Sequence, residues 1–105
     1  MAQLSAACRK DLEAIAIPRH ASWDPVGLMA VRSHVHTQLA RLGDVQEHHF
    51  RRSGHAGVNL ILKLPGSNPR LRPLLVGAHY DGPLQSIGAD DNASAVVTLL
   101  ELGRR

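Results

Sequence analysis

A chain of 105 residues, 44% of them apolar, has the size and composition of one small globular domain. Its formal net charge of +3 rests on scattered basic residues, such as the pairs Arg51-Arg52 and Arg104-Arg105, without interleaved aromatics, which argues against a nucleic-acid partner. Cys8 is the only cysteine, which excludes an intramolecular disulfide and a thiolate cluster, whereas seven histidines keep metal chemistry in view.

The first residues, MAQLSAACRKDLEAIA, lack a basic start followed by a long apolar core, so no signal peptide is expected. No run approaches the roughly 18 apolar residues of a membrane span. A cytoplasmic location is the resulting expectation, with export left open. Residues 4–16 suit a short helix, ended by Ile17-Pro18 because the residue before a proline avoids helical geometry. After the loop PRHASWDP, Asp24 reads as an N-cap with Pro25 in the first turn. Leu28, Val31, Val35, Leu39 and Leu42 then recur at steps of three and four, as on one face of an amphipathic helix that Gly43 ends.

Residues 44–52, DVQEHHFRR, alternate loosely and are expected as a strand. Residues 53–57, SGHAG, read as a turn and residues 58–64, VNLILKL, as a second, antiparallel strand closed by Pro65-Gly66. Residues 74–78, LLVGA, form a continuous apolar run that suits a strand buried on both faces. A loop with Gly82-Pro83 and Gly88 as breakers leads to a helical pattern from about Asn92, ASAVVTLLELG. This order of helices and strands predicts an α/β layered structure.

The chemistry gathers where that last apolar run ends, in His79-Tyr80-Asp81, and ten residues later in Asp90-Asp91. In open α/β sheets the carboxyl edge of the strands is where ligands bind. A neutral His79 imidazole there could ligate zinc. Asp81, two residues on, could accept from the other ring nitrogen and fix the tautomer. A carboxylate at the helix start is favoured by the helix dipole, and its two oxygens could bridge cations about 3.5–4 Å apart. Structural roles account for the same residues taken singly. A strand-end histidine is commonly a hydrogen-bonded structural residue, Asp90 or Asp91 suits an N-cap, and Asp81 before Gly82-Pro83 suits a turn.

The whole string GAHYDGPLQSIGADDNASAVVTLLELGR resembles the co-catalytic di-zinc aminopeptidase family, that of bacterial leucyl aminopeptidases, glutamate carboxypeptidases and the transferrin-receptor ectodomain. The family pattern is an apolar strand ending in Gly-Ala-His-x-Asp, then a loop, Gly-Ala-Asp-Asp-Asn-x-Ser-Gly and an apolar helix ending in Leu-Glu. NLILKLPG upstream is similar to the family's strand, and the similarity extends over roughly residues 17–105. Ala95 departs from the family's glycine, a mild change at a close-packed helix start.

The resemblance implies that His79 ligates one zinc, that Asp91 bridges two, that Asp81 orients His79, and that Asp90 is not a ligand. It also implies a cis bond between Asp91 and Asn92. The implied fold is the mixed-sheet zinc-exopeptidase (phosphorylase/hydrolase-like) fold with helices flanking the sheet, and residues 1–105 would be the N-terminal portion of its catalytic domain. The implied activity is that of a metallo-aminopeptidase cleaving N-terminal peptide bonds through a zinc-bridged hydroxide. A glutaminyl cyclase-like single-zinc acyltransferase and a metal-free binding relative are the alternatives.

The family's remaining ligands, a Glu-Glu pair, an Asp and a final His, come from later segments, and Glu101 matches a structural Leu-Glu rather than the general base. A later family strand also lies between NLILKL and LLVGA, so the chain as given is expected to expose unpaired strand edges and to be inactive alone. Adjacent His48 and His49 point to opposite faces of a strand, His34 and His36 are separated on a helix, His55 sits in a turn, and His20 has no derivable role. Peptide is the expected substrate; specificity and oligomeric state are not legible.

Overall fold

Two helices, a hairpin and a third helix follow one another in the computed structural model, which describes residues 2–105. Helix α1 (Ala2–Ile15) stops just ahead of Ile17-Pro18, as the proline dictates. Helix α2 (Pro25–Ala40) begins with its proline in the first turn, where a missing N–H costs nothing. Asp24 occupies the capping position, yet its carboxylate makes no cap bond to α2. It closes the preceding turn instead, accepting from the His20 amide at 3.1 Å.

Strands β1 (Val45–Arg52) and β2 (His55–Leu62) form an antiparallel hairpin in which Val45 pairs with Leu62 and Arg52 with His55. The turn is only Ser53-Gly54, with φ of 52° and 79°. Two consecutive left-handed residues make the type I′ geometry whose twist matches that of the strands. The expected five-residue turn is therefore shortened, and β2 starts three residues earlier than the apolar pattern suggests.

Val58, Leu60 and Leu62 share one face of β2 by the strand's two-residue period. Val58 is buried, and Leu60, Leu62 and Val45 pack against the helices. The core consists of Ile15 from α1, Val31, Val35 and Leu39 from α2, and Ala93, Val96, Val97 and Leu100 in and before helix α3 (Ser94–Arg104). The expected α2 stripe is thus the buried one, except that Leu28 and Leu42 at its ends are only half-buried.

Residues 74–78 do not form the expected doubly buried strand. Leu74 and Leu75 are 89% and 92% exposed, and Val76 is 49% exposed. The physical reason is the absence of a partner. The sheet has two strands, paired with each other, so among the described residues no strand lies beside this run to take up its backbone groups. Helices and strands together fit an α/β class, but the sheet is a two-stranded antiparallel ribbon.

Leu100 is the most useful probe of this core, being 1% exposed between the helices. Leu100→Ala should lower unfolding stability by about 2–5 kcal/mol, the cost of lost transfer energy plus a cavity, measured by urea denaturation.

Candidate functional site

His79 is flanked by two carboxylates, one at each ring nitrogen. Its Nδ1 lies 3.0 Å from Asp81 Oδ1 and 3.3 Å from the Asp81 carbonyl oxygen. Its Nε2 lies 3.2 Å from Asp91 Oδ1. Either ring nitrogen can carry the proton toward its own carboxylate; in the tautomer with Nδ1–H donating to Asp81, the Nε2 lone pair is the one turned toward Asp91 and available to a cation. The structure therefore brings together His79, Asp81 and Asp91, the three residues singled out in the sequence. Asp90 stays outside this contact, with its main-chain carbonyl accepting from the Ser94 hydroxyl at 3.0 Å.

Asp91 owes its position to the irregular start of α3. Residues 89–93 form a widened π-type turn in which Asp91 (φ −112°, ψ 86°) and Asn92 (φ −138°, ψ 30°) leave helical geometry. The Asp91-Asn92 bond is cis, as the resemblance implies. Gly88 precedes the turn with φ 58°, and a β-carbon there would come within 2.5 Å of the Asp91 carbonyl oxygen, so both its conformation and its space require glycine.

The donor set fits a cation. Two ligand atoms each about 2.0–2.1 Å from a tetrahedral zinc stand about 3.3–3.4 Å apart, close to the 3.2 Å between His79 Nε2 and Asp91 Oδ1. The set is also incomplete. Among the described residues no three His, Cys, Asp or Glu side chains form a group able to hold a metal ion. Glu101 pairs with Arg104 on its own helix at 3.3 Å and with Arg105 just past the helix end at 3.6 Å.

Under the site lies Arg19, whose role the sequence did not reveal. Its side chain is fully buried. Nε donates to the Tyr80 carbonyl at 2.8 Å, Nη1 to Ile17 at 3.0 Å and to Ile87, and Nη2 to Gly88 at 3.0 Å. Burial lowers the Arg19 pKa, while the charges of Asp81 and Asp91 oppose that shift. An arginine between a proline and a histidine in a polar loop gives no pattern from which this burial could be read.

The other histidines have local roles. His34 Nε2 lies 2.9 Å from the buried Asp11 carboxylate, which also accepts from Arg104 Nη1 at 2.8 Å. That hydrogen bond raises the Arg104 pKa. His49 lies 3.1 Å and His36 3.8 Å from Glu47, His48 meets Asn59, and His55 meets Ser22. His20 Nδ1 accepts from the amides of Ser22 and Trp23, a turn-closing role.

Comparison with known proteins adds a family. Residues 59–105 match Peptidase family M28, a stretch that contains both motifs carrying the resemblance. The match begins well after residue 17, where the similarity was expected to start. The vacuolar membrane protease of Schizosaccharomyces japonicus is 42% identical over 53 residues, which is 50% of this chain and 6% of that protein. Proteins of the same name from Lachancea thermotolerans and Tuber melanosporum are 43% and 42% identical over 44 and 48 residues, covering 42% and 44% of this chain and 5% of each of them. The chain thus spans about one-twentieth of the length of these curated relatives. No solved structure matches it.

Tyr80 gives a direct optical test of the site's geometry. Its hydroxyl donates to the Val58 carbonyl, and burial raises its pKa above the usual value of about 10. A raised folded-state pKa means stability that is complete below the unfolded value and lost as pH rises through the folded one. As the only tyrosine, Tyr80 should titrate above pH ~10 by tyrosinate absorbance. Stability should decline over the same alkaline range, and Tyr80→Phe should remove that component.

Proposed function

We propose that the protein whose residues 59–105 match Peptidase family M28 is a zinc-dependent metallopeptidase, an aminopeptidase hydrolysing N-terminal peptide bonds. In this reading the chain supplies the N-terminal portion of the catalytic domain. The observation that carries it is the meeting of His79 Nε2 and Asp91 Oδ1 at a separation suited to one cation, inside the stretch that matches the family. The protease names of the similar proteins support proteolysis as the reaction class.

His79 would hold one zinc through Nε2, and Asp91 would reach two through its paired oxygens. Bound zinc would activate a water and polarise the peptide carbonyl. Asp81, 3.0 Å from His79 Nδ1, would hold the proton there and so leave Nε2 free to ligate. The solvent exposure of His79 and Asp91, 55% and 68%, leaves their ligating side open to peptide and to the further carboxylates and histidine that a two-metal site requires.

Zinc content of the purified whole protein and its turnover of an aminoacyl anilide test this together. Bound zinc and hydrolysis are expected, with His79→Ala and Asp91→Ala each losing more than about a hundredfold in kcat/KM along with bound metal. The 105-residue chain alone should show no turnover. A zinc-free whole protein would overturn the metallopeptidase reading, and lactam formation from an N-terminal glutaminyl peptide, in place of hydrolysis, would assign the site to cyclisation.

A further inference from the structure

Arg19 is the largest fully buried side chain, and it has no carboxylate within ion-pair distance among the described residues. Its acceptors are all main-chain carbonyls. Burying a cation on neutral acceptors is costly, so its retention calls for a reason beyond filling space.

The acceptors supply one. Tyr80 directly follows His79, and Gly88 lies three residues before Asp91. The Gly88 carbonyl also accepts from the Ala93 amide at 3.0 Å, across the turn that carries Asp91. The Arg19 carbonyl in turn accepts from the Gly82 amide at 3.2 Å, just beyond Asp81. One residue therefore ties both ends of the loop that separates the two candidate ligands, and the planar guanidinium fork reaches carbonyls on opposite edges as an ammonium could not. The charged groups nearest to it in effect are Asp81 and Asp91, the two carboxylates flanking His79.

Building on the zinc reading above, we propose that Arg19 is the positioning residue of the site: its buried guanidinium sets the spacing of His79 and Asp91 before any metal binds. Arg19 acts through the Tyr80 and Gly88 carbonyls and touches neither substrate nor metal.

The test compares zinc affinity, by chelator competition, and the visible absorption spectrum of the cobalt(II)-loaded site in the whole protein. Two variants are used. Arg19→Lys keeps the charge and loses the fork. Gly82→Ala keeps Arg19 and places a methyl group 3.0 Å from its Cγ. Arg19→Lys should weaken zinc binding about 10–100-fold and shift the cobalt bands, and Gly82→Ala should do the same to a smaller extent.

A purely structural arginine would lower the urea midpoint of both variants and leave the affinity and spectrum of the folded protein unchanged; that result would overturn the proposal. Should Arg19→Lys fail to fold, wild-type affinity and spectrum in Gly82→Ala would overturn it equally. A wild-type protein that binds zinc while its variants bind as tightly removes Arg19 from the site. A wild-type protein that binds none removes the zinc reading itself, and the proposal with it.

Discussion

A buried guanidinium must find acceptors for its N–H groups, and Arg19 finds them on main-chain carbonyls of Ile17, Tyr80, Ile87 and Gly88. Those bonds draw three separated stretches of chain to one point: the loop after α1, the end of the apolar run at residue 80, and the entry to the π-type turn. Residues 81–88 contain no regular secondary structure of their own. Their path is set by what holds their ends, and the helix start that carries Asp91 is hydrogen-bonded to the same Gly88 carbonyl that Arg19 grips. The geometry at His79 is therefore inherited from a contact on the far side of the loop.

The helices set the platform for that contact. Ile15, Val31, Val35, Leu39, Val96, Val97 and Leu100 form a small aliphatic core, as a chain with three aromatic residues must. Each buried aliphatic side chain contributes about 1.5–3 kcal/mol of transfer energy. The hairpin adds one face, Val58, Leu60 and Leu62. Tyr80 joins the two parts, since its ring packs on the helical core while its hydroxyl reaches the Val58 carbonyl.

What could be read from residues alone followed how local its physical cause is. Pro18 and Pro25 bound α1 and α2 through sterics that act over one or two residues, and the α2 stripe buried where its period said. The I′ turn was missed because Ser53 adopts left-handed geometry without being glycine or asparagine, so the small residues after it read as more turn. Residues 74–78 read as a strand because apolar runs usually are, but a strand exists only with a neighbour, and its neighbour cannot be inferred from the run itself. Side-chain type and short spacing drew attention to His79 and its neighbouring carboxylates, the family resemblance chose Asp91 over Asp90, and the fold brings His79, Asp81 and Asp91 together. Arg19 was not, because its partners are backbone carbonyls up to 69 residues away, which leave no trace in residue identity.

Charge completes the argument. Asp81 and Asp91 bring two negative charges to the neighbourhood of His79, and Arg19 returns one positive charge, leaving a net charge of minus one. That balance can welcome a single dication but falls well short of two, whose four positive charges need further anionic ligands. The proposed two-zinc chemistry therefore demands additional carboxylates near the ligating face of His79. The exposed run Leu74-Leu75-Val76 ends three residues before that histidine. A strand pairing with that run would satisfy its free backbone groups, so the unmet demand for hydrogen bonds lies only three residues along the chain from the unmet demand for charge.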